Sequence, residues 1–238
     1  LHGTLVAALV LARHGSAAQR ALLRQVVQGE LILSFAVQGL QGAWSPAAEG
    51  LTGRAEGEYV VLNGSRTFVD GFRESGHCLV LYQAEGDGVA AALVDTTSAG
   101  MRVTDYVTTA KDSQARVDFD NVRVPKSALV GEPARGAAIA RDLCDYAAAL
   151  MTSQLAGATR RDMEFAVEYA GQREAFGQPI GAFQAIQHLC ADMLIAVDGA
   201  QLLVHEALWR LDQGLPASIE VSQAKAFAGD KCIFVARS

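Results

Sequence analysis

The stretch Arg173-Glu174-Ala175-Phe176-Gly177-Gln178-Pro179-Ile180-Gly181-Ala182-Phe183-Gln184 interrupts two long helical patterns, and its reading decides the fold. Before it, Leu143–Gln172 repeats small and apolar residues at three- and four-residue spacing. After it, Phe183–Leu211 and Ala217–Val235 do the same. The breaks at Gly177-Gln178-Pro179 and Asp212–Pro216 are short, so consecutive helices are expected to pack as antiparallel neighbours. Gly214 stands where one helix could stop and Pro216 where the next could start. Between about Glu30 and Gly131 the period changes to two. Tyr59-Val60-Val61-Leu62 and Arg66-Thr67-Phe68-Val69 flank Asn63-Gly64, a strong hairpin signal. Cys78–Gln83, Val89–Val94, Met101–Tyr106 and Arg116–Phe119 read as further strands of an antiparallel barrel or sandwich. From Leu1 to about Gly29 the pattern is helical, with Leu5, Leu9 and Ala12 on one face. Leu22, Leu23, Val26 and Val27 continue it after a polar break at His14–Ser16.

Composition bounds the function. The chain has 238 residues, 50% hydrophobic and 19% charged, enough to bury a core without disulfides. Its 26 acidic against 20 basic residues leave a net charge of −6, which disfavours nucleic acid as a partner. The mean hydropathy of +0.17 is high, but no run approaches the ~20 apolar residues of a membrane span. Leu1–Leu11 lacks a basic leader and an initiating Met, so Leu1 reads as a cut into a longer protein. Cys78, Cys144, Cys190 and Cys232 form no C-x-x-C pair and no metal-like spacing with histidine, the pattern of buried thiols in a cytoplasmic protein. With only Lys111, Lys126, Lys225 and Lys231 beside the arginines, and no P-loop, nucleotide phosphates would meet Arg and backbone amides. Gly86-Asp87-Gly88-Val89-Ala90-Ala91 fits G-x-G-x-x-A, but it precedes a strand and reads as a hairpin turn. The glycosylation sequon Asn63-Gly64-Ser65 is explained by the turn, and His205-Glu206 lacks the second His of a zinc helix.

The opening stretch, with Gln187-His188 and Ala191-Asp192-Met193 behind it, resembles the R-x-x-F-G-x-x-I-x-x-F/H-Q signature of the acyl-CoA dehydrogenase family. Asp118-Phe119-Asp120-Asn121-Val122-Arg123-Val124-Pro125, followed by Leu129-Val130-Gly131, resembles the family's last β-domain strand and its exit. Ala224-Lys225-Ala226-Phe227-Ala228 is similar to its A-K-x-x-A helix. The resemblance runs from about residue 20 to 238. It implies an α+β chain: residues 1–30 ending an N-terminal helical domain, 31–131 a middle β-domain, and 132–238 an incomplete C-terminal helical bundle. It further implies FAD between β-domain and bundle, an acyl-CoA substrate, a homologous subunit as partner in a hetero- or homo-oligomer, and a tetramer as the family expectation. Arg173 would neutralise pyrophosphate oxygens of a neighbour's FAD, for which a planar guanidinium suits. Phe176, Ile180 and Phe183 would pack against that cofactor, and Gln184 would hydrogen-bond it.

Departures from the family pattern are as informative. Where members carry T-E-x-x-x-G-S-D, this chain reads Gln38-Gly39-Leu40-Gln41-Gly42-Ala43-Trp44-Ser45, with indole bulk near the position of a small Ser. The family's W-I-T reads Phe68-Val69-Asp70, placing a carboxylate where a Thr hydroxyl meets the flavin. One family position for the catalytic Glu falls on Ala147, with Ala148 and Ala149 beside it. Asp145 is the nearest acid, about 200° around a helix and read as solvated or as part of an N-terminal turn. The other position for the base, and the Gly-rich adenosine-binding segment, would fall beyond Ser238. The expectation is therefore a subunit whose own site is degenerate and whose Arg173 segment completes a partner's FAD site. A self-sufficient dehydrogenase with its base beyond residue 238, and a non-catalytic homologue without flavin, stand as alternatives.

Overall fold

The computed structural model describes residues 2–39, 47–86, 88–132 and 135–238. Trp44 and the rest of 40–46 lie outside them, as does Asp87 of the G-x-G-x-x-A match. The chain divides into two compact units, Leu1–Cys144 and Asp145–Ser238.

In the first unit, α1 (His2–His14) and α2 (Ala17–Gln28) are separated at the predicted polar break. Ser16 caps α2: its hydroxyl accepts from the Gln19 amide while the Gln19 side chain reaches back to the Ser16 amide. Gly29, at φ 75°, closes the helix in the left-handed conformation. The predicted apolar face of α1 is a correction. Val6, Ala7, Val10 and Leu11 are buried, whereas Leu5 and Ala12 are exposed. Two adjacent apolar stripes run along this helix, and packing against the sheet chose the other one.

Among the described residues seven strands follow: β1 (Leu33–Ala36), β2 (Leu51–Glu56), β3 (Tyr59–Asp70), β4 (His77–Ala84), β5 (Gly88–Asp95), β6 (Met101–Asp105) and β7 (Gln114–Pro125). Their order is β1-β4-β2-β3-β7-β6, with β5 also on β4. The expected antiparallel pairing holds except where β4 runs parallel to β1 and, over two residues, to β2. The inner face carries Leu51, Val60, Leu62, Val69, Val80, Val94, Val117, Phe119 and Val122.

The expected hairpin at Asn63-Gly64 is overturned. Both residues lie inside β3, which pairs continuously with β7 apart from register shifts at Leu62/Gly64 and Arg66/Val69. A Cβ on Gly64 would fall 2.2 Å from the Gly50 carbonyl oxygen, so this glycine serves a close approach of β2. The reversal occurs at Gly57-Glu58, a two-residue loop with Gly57 at φ 57°. β2 escaped the sequence reading because Thr52-Gly53-Arg54-Ala55 offers little apolar alternation.

The second unit contains most of α3 (Gly136–Gln172), then α4 (Gln184–Asp212) and α5 (Ser218–Arg237), joined by the short breaks read from sequence. One core cluster joins Ala149 and Ala156 of α3 to Ala200, Val204 and Ala207 of α4 and Val221, Ala224 and Ala228 of α5. A second joins Met163, Met193, Val197 and Val235. As α3 numbers rise, their α4 partners fall, which is the antiparallel arrangement expected. Alanine at these contacts lets the helix backbones approach closely. Of the four cysteines only Cys78 is buried; Cys144, Cys190 and Cys232 are half-buried, and none forms a disulfide. No helix among the described residues is long and apolar enough to cross a membrane.

Candidate functional site

The segment between α3 and α4 is built from its own backbone. The Arg173 amide makes the last helical bond, to Tyr169 O at 2.8 Å. Two short strands, β8 (Glu174–Ala175) and β9 (Gln178–Pro179), then form a hairpin. Its two-residue loop is Phe176-Gly177, with φ 55° and 80°. Positive φ at both positions suits Asn-Gly or Gly-Gly; an aromatic at the first is strained. Ile180 donates to Arg173 O at 2.8 Å, closing the hairpin, and a single 3-10 turn, Ile180–Ala182, leads into α4. A Cβ on Gly181 would meet Ala170 O at 3.0 Å, so the turn packs directly on the end of α3.

This construction brings Arg173, Phe176, Ile180, Phe183 and Gln184 into one tight reversal. The Phe176 and Phe183 rings meet edge-on, centroids 6.1 Å apart at 86°. Arg173 and Gln184 are exposed and, among the described residues, their side chains have no protein partner; Ile180 and Phe183 are half-buried. Phe176 is 96% exposed. The fold thus holds an aromatic ring in solvent on strained backbone, beside an unpaired guanidinium. α4 begins here with no acid in its first turn and no side-chain cap at Phe183, so the positive end of its dipole is uncovered. Planar cation, aromatic ring and helix N-terminus together suit an anionic, aromatic-bearing ligand.

The residues read as departures behave differently. Phe68 sits at φ 52°, half-exposed, with its ring 5.0 Å from that of Tyr106. Burial pushes the Asp70 carboxyl above its ordinary value, with Asp112 adding to the shift; His2 and a hydrogen bond from Gln114 oppose it. The Gln38 Oε1 is buried without a hydrogen-bond partner. Asp145 lies well inside α3 and accepts from the Ser218 hydroxyl at 2.6 Å, so it is neither a solvated nor an N-terminal-turn acid. Ala147 is buried. Among the described residues, no group of three His, Cys, Asp or Glu is placed to hold a metal ion.

One residue escaped the sequence reading as a site element. Arg66 is fully buried and donates only to carbonyls: Ala48, Glu49, Ser65 and, through two nitrogens, Leu81. Burial lowers it to about 10. Next to it, Thr67 donates its amide to Gln38 O and its hydroxyl to Gly39 O. Consecutive residues of β3 therefore tie down both 38–39 and 48–49. The available signal was an arginine in a Val- and Phe-rich strand.

Residues 134–238 match the family pattern described as "Acyl-CoA dehydrogenase, C-terminal domain". The chain is 30% identical over 226 residues to the human mitochondrial short-chain specific acyl-CoA dehydrogenase, covering 92% of this chain and 55% of that protein. It belongs to the acyl-CoA dehydrogenase family. A second relative, the 3-(aryl)acrylate reductase of Clostridium sporogenes, is 31% identical over 218 residues, covering 89% of this chain and 58% of the reductase. Among solved structures, the Tcur3481-Tcur3483 steroid ACAD superposes with a TM-score of 0.88 at 29% identity, covering 99% of this chain and 62% of that one. This family member therefore spans between about half and two thirds of the length of the relatives it matches. The α+β architecture, a sheet followed by a helical bundle, is the fold they share.

Proposed function

We propose that the chain is a subunit of a flavin-dependent acyl-CoA dehydrogenase, its own ring site degenerate, that lends the Arg173 segment to the FAD of a homologous partner. The observation that carries this reading is Phe176, almost wholly exposed at φ 55°. Both features are unfavourable in an isolated chain and become useful against a ligand on another surface. The residues present fit FAD in this donated sense. Arg173 would pair with pyrophosphate oxygens, Phe176, Ile180 and Phe183 would cover apolar ring surface, and Gln184 would hydrogen-bond polar edges. Bound FAD would supply the hydride acceptor for α,β-desaturation of an acyl-CoA thioester.

The residues at the sequence positions that the family gives to a subunit's own ring are a poorer fit. Asp70 places a carboxyl where an electron-rich reduced ring would be repelled if it ionised. Ala147 offers no base for the α-proton. In the first unit, Gln38 Oε1 is buried without a hydrogen-bond partner and could accept from a polar ligand. Loss on the subunit's own side, with retention of the donated side, favours a heteromer over a self-sufficient enzyme.

The test is to purify the chain alone and together with homologous candidate partners, then measure bound flavin and enoyl-CoA formation. Roughly one flavin for every two chains, seen only with a partner, is expected. One flavin per chain in the isolated protein would overturn the reading. Arg173→Ala should release flavin from the complex while this subunit's thermal unfolding stays unchanged.

A further inference from the structure

A cavity of about 370 Å³ opens inside the first unit at one end of the sheet, where β2 touches β4 over only two residues. Its walls are small: Gly53, Ala55, Ala84, Ala90 and Ala91. The space exists because these strands carry no bulk there. At Gly53 bulk is impossible, since a Cβ would lie 2.4 Å from the Tyr82 ring. Tyr82 lies against Gly53 and is 2% exposed. Among the described residues its hydroxyl has no hydrogen-bond partner. Tyr82 lines the cavity. A nearly buried phenol without a partner is an incomplete arrangement, because such groups are normally bonded.

The charged groups lining the cavity are Lys126, Glu85 and Glu132, all exposed and, among the described residues, none paired to another side chain. Two acids against one base make the rim hostile to a carboxylate or phosphate. The phenol is a firm donor, since burial pushes its ionisation up to about 12. Its ideal partner is an uncharged acceptor such as a carbonyl oxygen.

We propose that this cavity binds a compact, uncharged apolar molecule carrying a carbonyl oxygen, which accepts a hydrogen bond from Tyr82. At about 30 Å³ per heavy atom the space suits a ligand of roughly ten such atoms. The apolar body rests on the alanine walls, and the oxygen replaces the missing partner of the phenol. The site uses no residue of the Arg173–Gln184 segment, so it stands or falls apart from the flavin reading.

The experiment is titration of the full chain, without added flavin, with hexanamide as probe, followed by calorimetry and by alanine methyl shifts. Saturable binding is expected, weakened about tenfold in Tyr82→Phe, which deletes an unbonded hydroxyl and so leaves folding intact. Ala84→Leu, which fills the cavity from a half-buried wall position, should abolish binding while circular dichroism stays native. Absence of saturable binding to the wild-type chain overturns the proposal. So does equal affinity in Tyr82→Phe, or tighter binding of hexylammonium than of hexanamide, since the rim acids would then govern the site.

Discussion

Two arginines of this chain have opposite surroundings. Arg66 is enclosed by the first unit and spends its guanidinium on the carbonyls of residues 48, 49, 65 and 81. Arg173 follows the end of a long helix in the second unit, exposed and, among the described residues, unpaired. Each lies close to a phenylalanine held at positive φ. Phe68 leans on Tyr106, whereas Phe176 projects into solvent. The difference separates residues that the fold consumes from residues that it holds out for something else. A buried cation with only carbonyl partners is tolerable because every N–H direction is used, and it specifies where 48–49 must lie.

The comparison can be broken most severely at Arg66. Arg66→Met leaves the carbonyls of Ala48 and Glu49 without a donor and should cost about 3 kcal/mol in urea unfolding. A loss under about 1 kcal/mol would mean that the fold does not depend on this cation. At Arg173 the expectation reverses. Arg173→Ala should leave unfolding within about 0.5 kcal/mol of wild type and weaken flavin retention by a partnered complex ten- to a hundredfold, about 1.4–2.7 kcal/mol. A destabilised monomer would place Arg173 with the structural arginines.

Smaller effects sharpen the same division. Ser218→Ala removes the bond to Asp145 at 2.6 Å and should cost about 1 kcal/mol by thermal unfolding. Phe176→Ala should be neutral for stability, within about 0.5 kcal/mol, since the ring buries almost nothing in this chain, while reducing flavin occupancy of a complex. The smallest effect is expected at Asp118, whose carboxyl is held below its ordinary value of 3.8 chiefly by the hydrogen bond from Arg116. A depressed folded value means that its contribution is fully present above pH 3.8 and disappears as pH falls through the folded value. Both side chains are partly exposed, so Asp118→Asn should change neutral-pH stability by under about 0.5 kcal/mol. Comparing acid unfolding curves of the two proteins measures it, and a larger drop would show the pair to be more protected than its exposure indicates.

Legibility followed the range of the interaction. The three long helices and the breaks at 177–179 and 212–216 were readable because periodicity, Gly and Pro act within a few residues. The Phe176-Gly177 reversal was readable as a break, but its two positive φ values and its exposed ring were not. Asn63-Gly64 misled because its glycine answers to Gly50, a residue distant in sequence, and no local pattern carries that demand. The face of α1 was misassigned for a similar reason: two apolar stripes compete on that helix, and only the sheet beneath it chooses. Tyr82 and its cavity gave no signal, since small residues on three strands mean nothing until the strands are side by side.

The sequence by itself determined the family, the order of helix and strand, and the presence of an arginine-aromatic segment between two helices. These rest on local periodicity and on a motif of adjacent residues. Only the tertiary structure decided which polar groups are satisfied: that Arg66 is enclosed, that Asp145 is bonded to Ser218, and that the Arg173 guanidinium and the Tyr82 hydroxyl have no partner among the described residues. Hydrogen bonding and burial are properties of neighbours in space, and the sequence orders neighbours only along the chain.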